Sequence, residues 1–449
     1  MPWCRSACLS IPMLAFLAGP AGAASFLVST TADTGEGSLR QAVADANASP
    51  GVDGITFAIP AGSCSAAGVC SIALASSLPD VSEGVEIDGT TQPRYGTAPD
   101  NVCAGREAPS YMRVEVTGPL EGLTPVFNVT AAEPVSIRGL ALGGGAPIRL
   151  RSSGTHRVQC NHVGLDGPGT GNLALGFAGV IIETNGRFAI IGSDGDGGDD
   201  LGERNAFSPA SSYGVYVNGN HDNRIAGNLF GLAGDGITPR PCATAVLVRQ
   251  GSSTNLVGSD EDGLSDDLEA NRFEGCTTGV LVQDPSNGTG NQVVRNRFGA
   301  VAANGVAIDL RGSTDTVVRN NVIAGGTTGL RVYLDATLSP LSQGNCLAGN
   351  ATGLLHEGSA ALVLERNWWG AADGPGGDGP GTGDPIEVTG TGSLDVEPFE
   401  TAGCVFVPEP GTALAGLACG GTLAALGLRA RRPPPTANGG AGATGGSSR

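Results

Sequence analysis

Lysine is absent from the 449 residues, so each of the 25 basic side chains is an arginine. Charged residues make up only 15% of the chain and aromatics 4%, too little of either for long solvated helices or an aromatic-rich core. Histidine is scarce. His156, His162, His221 and His356 are scattered without zinc-ligand spacing or a nucleophilic triad pattern, and each reads as a turn or surface residue. No phosphate-binding loop, no Cys-x-x-Cys pair and no basic patch is found. With both ends set aside, residues 25 to 407 carry 20 arginines against 42 acidic residues. That balance repels nucleic acid and anionic surfaces and attracts cations.

Glycine is what the chain has in excess, 74 residues with no Gly-X-Y period, which points to many turns between short Val-, Ile- and Leu-rich strands. The N-terminus carries Arg5, an apolar run from Ala7 to Ala18 and the small-residue site Ala21-Gly22-Ala23. This is the layout of a secretory signal peptide over residues 1–24, and the run is too short for a permanent span. Cys4 and Cys8 leave with it, and Cys419 lies in the C-terminal apolar segment. Eight cysteines remain, an even number that favours disulfides in an exported chain without choosing a connectivity. The six-residue separation of Cys64 and Cys70, in a loop of glycine, serine and alanine, predicts one local bridge.

At the other end Pro408-Glu409-Pro410 precedes an apolar stretch from Gly411 to Leu428, then Arg429, Arg431 and Arg432. As a helix that stretch would reach about 27 Å, close to a bilayer's hydrocarbon thickness, with the arginines held cytoplasmic. The order of the three parts resembles the PEP-CTERM sorting signals processed by exosortases. The resemblance implies a transient inner-membrane anchor over residues 407–432, an exosortase-type processing enzyme as partner, and a destination at the cell surface or outside the cell. Residues 433–449 form a Pro/Gly-rich tail expected to be disordered.

Between the ends the chain repeats. An apolar-Asn-x-Phe/Val pattern recurs around Asn161, Asn205, Asn228, Asn271, Asn296, Asn320, Asn345 and Asn367, in steps of 44, 23, 43, 25, 24, 25 and 22. The two long steps read as double ones. A period of 22 to 25 residues suits a coil of three short strands and three turns, with stacked asparagines bonding from rung to rung. A longer repeat overlies it: Gly192 to Phe207 aligns on Gly258 to Phe273 with nine of sixteen positions identical, an offset of 66 residues read as about three rungs. Leucine-rich repeats share the period, but their leucine-bearing spacers are missing. The expected fold is therefore all-β, a right-handed parallel β-helix of the pectin-lyase-like kind over residues 25–406. Ser38-Leu39-Arg40-Gln41 starts a helix whose Leu39, Ala42, Val43 and Ala46 would cap the first rung.

Thr31 to Phe57 and Val85 to Pro93 resemble the opening of secreted bacterial β-helix proteins with CSLREA-type N-termini, although Gly37 stands at that motif's cysteine position. Asn367-Trp368-Trp369-Gly370 and the Gly/Asp-rich run after it resemble the last-rung signature of the same group.

Catalytic chemistry is thinly represented. A glycoside hydrolase needs two carboxyl groups in different protonation states, and a lyase needs a base beside a cation. The only dense acidic clusters occur twice, in homologous positions, and so read as architecture. Asp309 faces outward on its strand and reads as solvated, while Trp368 and Trp369 read as a cap. The repeated Asp194, Asp196, Asp200 and Asp260, Asp262, Asp266, each set in Asp-x-Asp-Gly, are candidate calcium ligands. The chain is accordingly expected to be a non-catalytic extracellular or cell-surface scaffold of matrix or adhesion type, with extracellular polysaccharide as a candidate partner and no required cofactor. The alternatives are a polysaccharide lyase or glycoside hydrolase on the same fold, and a calcium-dependent adhesin.

Overall fold

The computed structural model describes residues 22–98, 103, 111–183, 185–210, 212–283, 288–299 and 305–404. Most of the signal-peptide segment, Pro408, Glu409 and Pro410 of the sorting motif, the apolar stretch after them and the 433–449 tail lie outside those residues. Among the described residues no helix is long and apolar enough to cross a membrane.

The chain winds as a right-handed parallel β-helix. Each coil contributes one strand to each of three parallel sheets. Arg157–Gln159 belongs to the first, His162–Val163 to the second and Ala178–Glu183 to the third, before Ile190–Gly192 returns to the first. Two of the sheets have ten strands and the third has eleven, stacked in parallel register apart from a shift between Pro375 and Gly376 in the last pair of the third sheet. Stacking puts like on like. Val180, Val215, Val246, Val280, Ile308, Leu330 and Leu354 follow one another up the interior of the third sheet, all 3% exposed or less. Each such side chain contributes about 1.5 to 3 kcal/mol by leaving water. Phe207, Phe230, Phe273 and Phe298 form a second column, stacked at centroid distances of 4.8, 5.0 and 4.5 Å.

The corner between the first and second sheets carries the asparagine ladder. Asn161, Asn205, Asn228, Asn271, Asn296, Asn321, Asn345 and Asn367 bond side chain to side chain at 2.9 to 3.1 Å. The ladder member is Asn321, not the expected Asn320. Of the adjacent pair, Asn320 takes the left-handed turn, at φ 55°, and Asn321 points inward. The same turn precedes other members, at Cys160, Gly227, Arg295, Gly344 and Arg366. A non-glycine residue there accepts a sparsely populated conformation so that the next side chain can enter the stack.

Two further expectations are corrected. Asn161 bonds directly to Asn205, and Asn228 to Asn271, so the long steps are single coils enlarged by insertions. One insertion lies between the second and third sheets (164–177 and 231–241) and one between the first and second (193–205 and 259–271). The duplicated unit is therefore one large coil plus one ordinary coil, two rungs rather than three.

Helix α1 (Leu39–Asn47) buries Leu39, Ala42, Val43 and Ala46 and packs against the first two strands of the first sheet, Ser25–Val28 and Asp53–Phe57. Ser38 caps it by accepting from Gln41 N at 3.2 Å. The reciprocal half of the capping box is unused, because Gln41 Nε2 turns to Asp45 at 2.6 Å. At the far end Trp369 is fully buried beside the strand Gly383–Val388. All eight described cysteines are paired, as Cys64–Cys70, Cys103–Cys160, Cys242–Cys276 and Cys346–Cys404.

Candidate functional site

The duplicated aspartates stand on the insertions that follow the first-sheet strands Ile190–Gly192 and Leu256–Gly258. In each loop three carboxylate oxygens, from Asp194, Asp196 and Asp200 or from Asp260, Asp262 and Asp266, lie within 4.8 Å of one another. The loops fold alike. Ser193 Oγ donates to Asp200 at 2.6 Å, as Ser259 does to Asp266 at 3.3 Å. Asp194 Oδ1 accepts from Asp196 N at 3.3 Å, and Asp260 Oδ1 from Asp262 N at 3.2 Å. Carboxylates drawn together by such turns, with backbone carbonyls and water, are suited to the six to eight oxygen ligands of calcium.

Sequence reasoning missed a fourth acid in each loop. Glu203 Oε2 accepts from Asp194 N at 2.9 Å, and Glu269 Oε2 from Asp260 N at 3.2 Å. Both sit at one position of the aligned repeat, and that shared identity was the available signal. Burial pushes Glu203 up to about 7, helped by the neighbouring Asp194, Asp200 and Asp196. Burial likewise raises Glu269, opposed by its bond to Ser259 and by Arg224.

The arginines distinguish the loops. Arg224 reaches Asp260 at 2.6 Å and also pairs with the fully buried Glu269. Arg319 holds Glu261 at 2.6 Å and Arg295 holds Asp267 at 2.7 Å. In the first loop Arg157, the counterpart of Arg224, lies 3.3 Å from Asp194 and is 42% exposed, and Glu203 has no cationic partner among the described residues. The loops also touch. A Cβ on Gly195 (φ +75°) would fall 2.0 Å from Glu269 Oε1 and 2.3 Å from Arg224 Nη2, so only glycine fits there.

Beside the first loop the outer face of the first sheet forms a groove of about 410 Å³. Its floor crosses the strands Val85–Asp88, Val135–Arg138 and Arg157–Gln159, with Glu86, Ser136 and Arg157 in one row and Arg138 and Gln159 in the next. Asp194, Asp196 and Glu203 line one wall.

Other sequence candidates fall elsewhere. His156, His162 and His356 are buried rather than at the surface, and each bonds backbone: His156 Nδ1 accepts from Val135 N of the neighbouring coil at 3.2 Å, while His162 and His356 bond carbonyls four residues ahead. Burial lowers the His156 pKa and favours this neutral, accepting form. Asp309 does face outward, yet it is 1% exposed and bonded to Arg311 at 2.6 Å, not solvated. A second ladder, Asn223, Asn255 and Asn291 at 2.9 and 3.0 Å, stands at the turn into the first sheet, outside the apolar-Asn-x-Phe/Val pattern. No protein-family model and no curated protein matches the chain.

Proposed function

We propose that this protein is an exported, non-catalytic β-helix scaffold that works at the cell surface or in the extracellular matrix and contacts glycans along its solenoid faces. The observation that carries the reading is the pairing of all eight described cysteines on a regular solenoid, since structural disulfides belong to oxidising, extracytoplasmic compartments. The signal-peptide layout at residues 1–24 and the resemblance of residues 407–432 to a PEP-CTERM signal supply route and destination. An exosortase-type enzyme would remove the anchor after Pro408-Glu409-Pro410. Mass spectrometry of the protein outside the cell tests this: no peptide from Gly421 to Arg449 is expected, and an intact tail there would contradict it.

A second reading, cleavage of a polysaccharide, is favoured by the groove, where burial pushes Glu203 up to about 7 and Arg138 and Arg157 share the lining. Incubation with a panel of acidic polysaccharides separates the two. The scaffold reading expects no new reducing ends and no unsaturated products, and either product would replace it.

A further inference from the structure

Five acidic side chains among the described residues are buried, and four of them are answered. Arg224 pairs with Glu269 and Arg311 with Asp309, Asp200 accepts from Ser193 Oγ and Gly195 N, and Asp384 accepts three N–H bonds from Gly349 and Asn350. Asp53 is the exception. It shares the inward face of the strand Asp53–Phe57 with Ile55 and Phe57 and is 2% exposed. Its Oδ1 accepts from Ala24 N at 2.7 Å, while its Oδ2 is buried without a partner. Among the described residues no guanidinium pairs with it. On the elements packed against its strand and the one before it, Arg40 is held by Asp33, and Asp45, Glu86 and Asp88 are acids. A buried carboxylate with one neutral donor is costly, and a cation beside it offsets the cost.

The sequence supplies that cation. Ala21-Gly22-Ala23 is the small-residue site that closes the signal-peptide layout, and the bond after it is Ala23–Ala24. Gly22 and Ala23 are exposed, whereas Ala24 is half-buried and its carbonyl accepts from Gly54 N at 2.8 Å, so the chain enters the fold at Ala24. Hydrolysis of the Ala23–Ala24 bond consumes one water and leaves a carboxylate on Ala23 and an ammonium on Ala24. The nitrogen that offers Asp53 one amide N–H then offers three, with a full positive charge, enough for both carboxylate oxygens.

We propose that the signal peptide is cut at the Ala23–Ala24 bond and that the α-ammonium released there pairs with buried Asp53, locking the first strand onto the solenoid in the processed chain alone. The cut falls one residue before the end of the 1–24 segment. The assignment rests on the export half of the proposed function and names its processing site. In the precursor Asp53 keeps an uncompensated charge, so the first coil is held less firmly before processing than after it.

The absence of lysine makes the test selective, because the terminal amine is then the protein's one primary amine. N-terminal sequencing of the exported protein should begin Ala24-Ser25-Phe26. Trace acetylation with acetic anhydride across pH, read on the N-terminal peptide by mass spectrometry, should show an amine that holds its proton at least tenfold more tightly than an exposed terminus, whose pKa is about 8. Asp53→Asn should return it to the exposed value, whereas Asp45→Asn, on the helix, should not. The stabilisation is complete below about pH 8 and is lost as pH rises through the raised value, so the melting temperature should drop across that range in the mature protein and not in Asp53→Asn. Should Asp53→Asn fail to fold, complete acetylation of the wild-type amine gives the same comparison and should lower the melting temperature at pH 7. A terminus at Ser25 or beyond, an amine with the exposed value, or an acetylated protein as stable as the untreated one would overturn the proposal and leave export standing. A chain found outside the cell still beginning at Met1 would overturn both.

Discussion

The loops at 193–203 and 259–269 began as copies and now differ in what surrounds them. In the second, Arg224 is planted between Asp260 and the buried Glu269, with Arg319 and Arg295 on Glu261 and Asp267, so four of its six acids have an arginine partner. In the first, Arg157 lies 3.3 Å from a single aspartate and Glu203 is pushed up to about 7. The same turn thus has its first aspartate and its glutamate bridged by one arginine in one copy, and in the other a more exposed arginine beside the aspartate alone. Duplication preserved the backbone while substitutions outside the motif set its chemistry. The motif alone does not identify a site.

The scaffold beneath should be indifferent to this divergence, and that is the largest expected effect. Asn205 and Asn271 close the two enlarged coils with the same four side-chain bonds, two accepted and two donated. Replacing either by alanine strands buried backbone groups, and should cost about 3 to 5 kcal/mol in each case. Urea unfolding followed by far-UV circular dichroism measures both. Costs differing by more than about 2 kcal/mol would mean that the loops, and not the ladder, hold the coils.

Next in size is the arginine pair. Arg224→Met leaves Glu269 buried without its counter-ion and should destabilise by about 3 kcal/mol at neutral pH. The loss should shrink in acid, as Glu269 protonates. Arg157→Met, at a 42% exposed ion pair, should cost under about 1 kcal/mol. Thermal melts of the two variants at pH 5 and pH 7.5 compare them, and equal losses would erase the distinction drawn between the loops.

A smaller effect sharpens the contrast through pH. The Glu203 pKa is raised from the ordinary 4.5 to about 7, so between those values the folded protein binds a proton that the unfolded chain has released. Stability should therefore fall as pH rises from about 4.5 to 7. After discounting for partial exposure, the penalty above pH 7 is about 1 to 2 kcal/mol. Glu203→Gln should remove that slope and be the more stable protein at pH 8. An unchanged slope in the variant would place the titration elsewhere.

Much of the fold was legible because a solenoid writes its period into the chain: stacked positions must repeat valine on valine and asparagine on asparagine. Coil length was the weak point. Insertions at turns leave the strands untouched, so spacing alone could not separate one enlarged coil from two ordinary ones, and the Asn320-Asn321 pair hid which residue enters the ladder. The aspartates were visible as a repeated Asp-x-Asp-Gly. Glu203 and Glu269 were visible too, as an identity in the aligned repeat, but it takes the folded turn to bring them beside Asp194 and Asp260. Arg157 and Arg224 come from the preceding strand and from the coil between the loops, and the groove from strands up to 109 residues before Asp194. Such proximity depends on register, which no local motif encodes.

Calcium titration of the exchanged pair, Asp196→Asn and Asp262→Asn, reads the asymmetry most directly. The first loop should bind calcium more tightly, because Arg157 is a more distant and more exposed partner for Asp194 than Arg224 is for Asp260, and should release protons from Glu203 as it does so. Calorimetry of the chelator-treated protein should show a first binding event that disappears in Asp196→Asn and persists in Asp262→Asn. Loss of that event in Asp262→Asn alone, or no heat in any variant at millimolar calcium, would contradict the account.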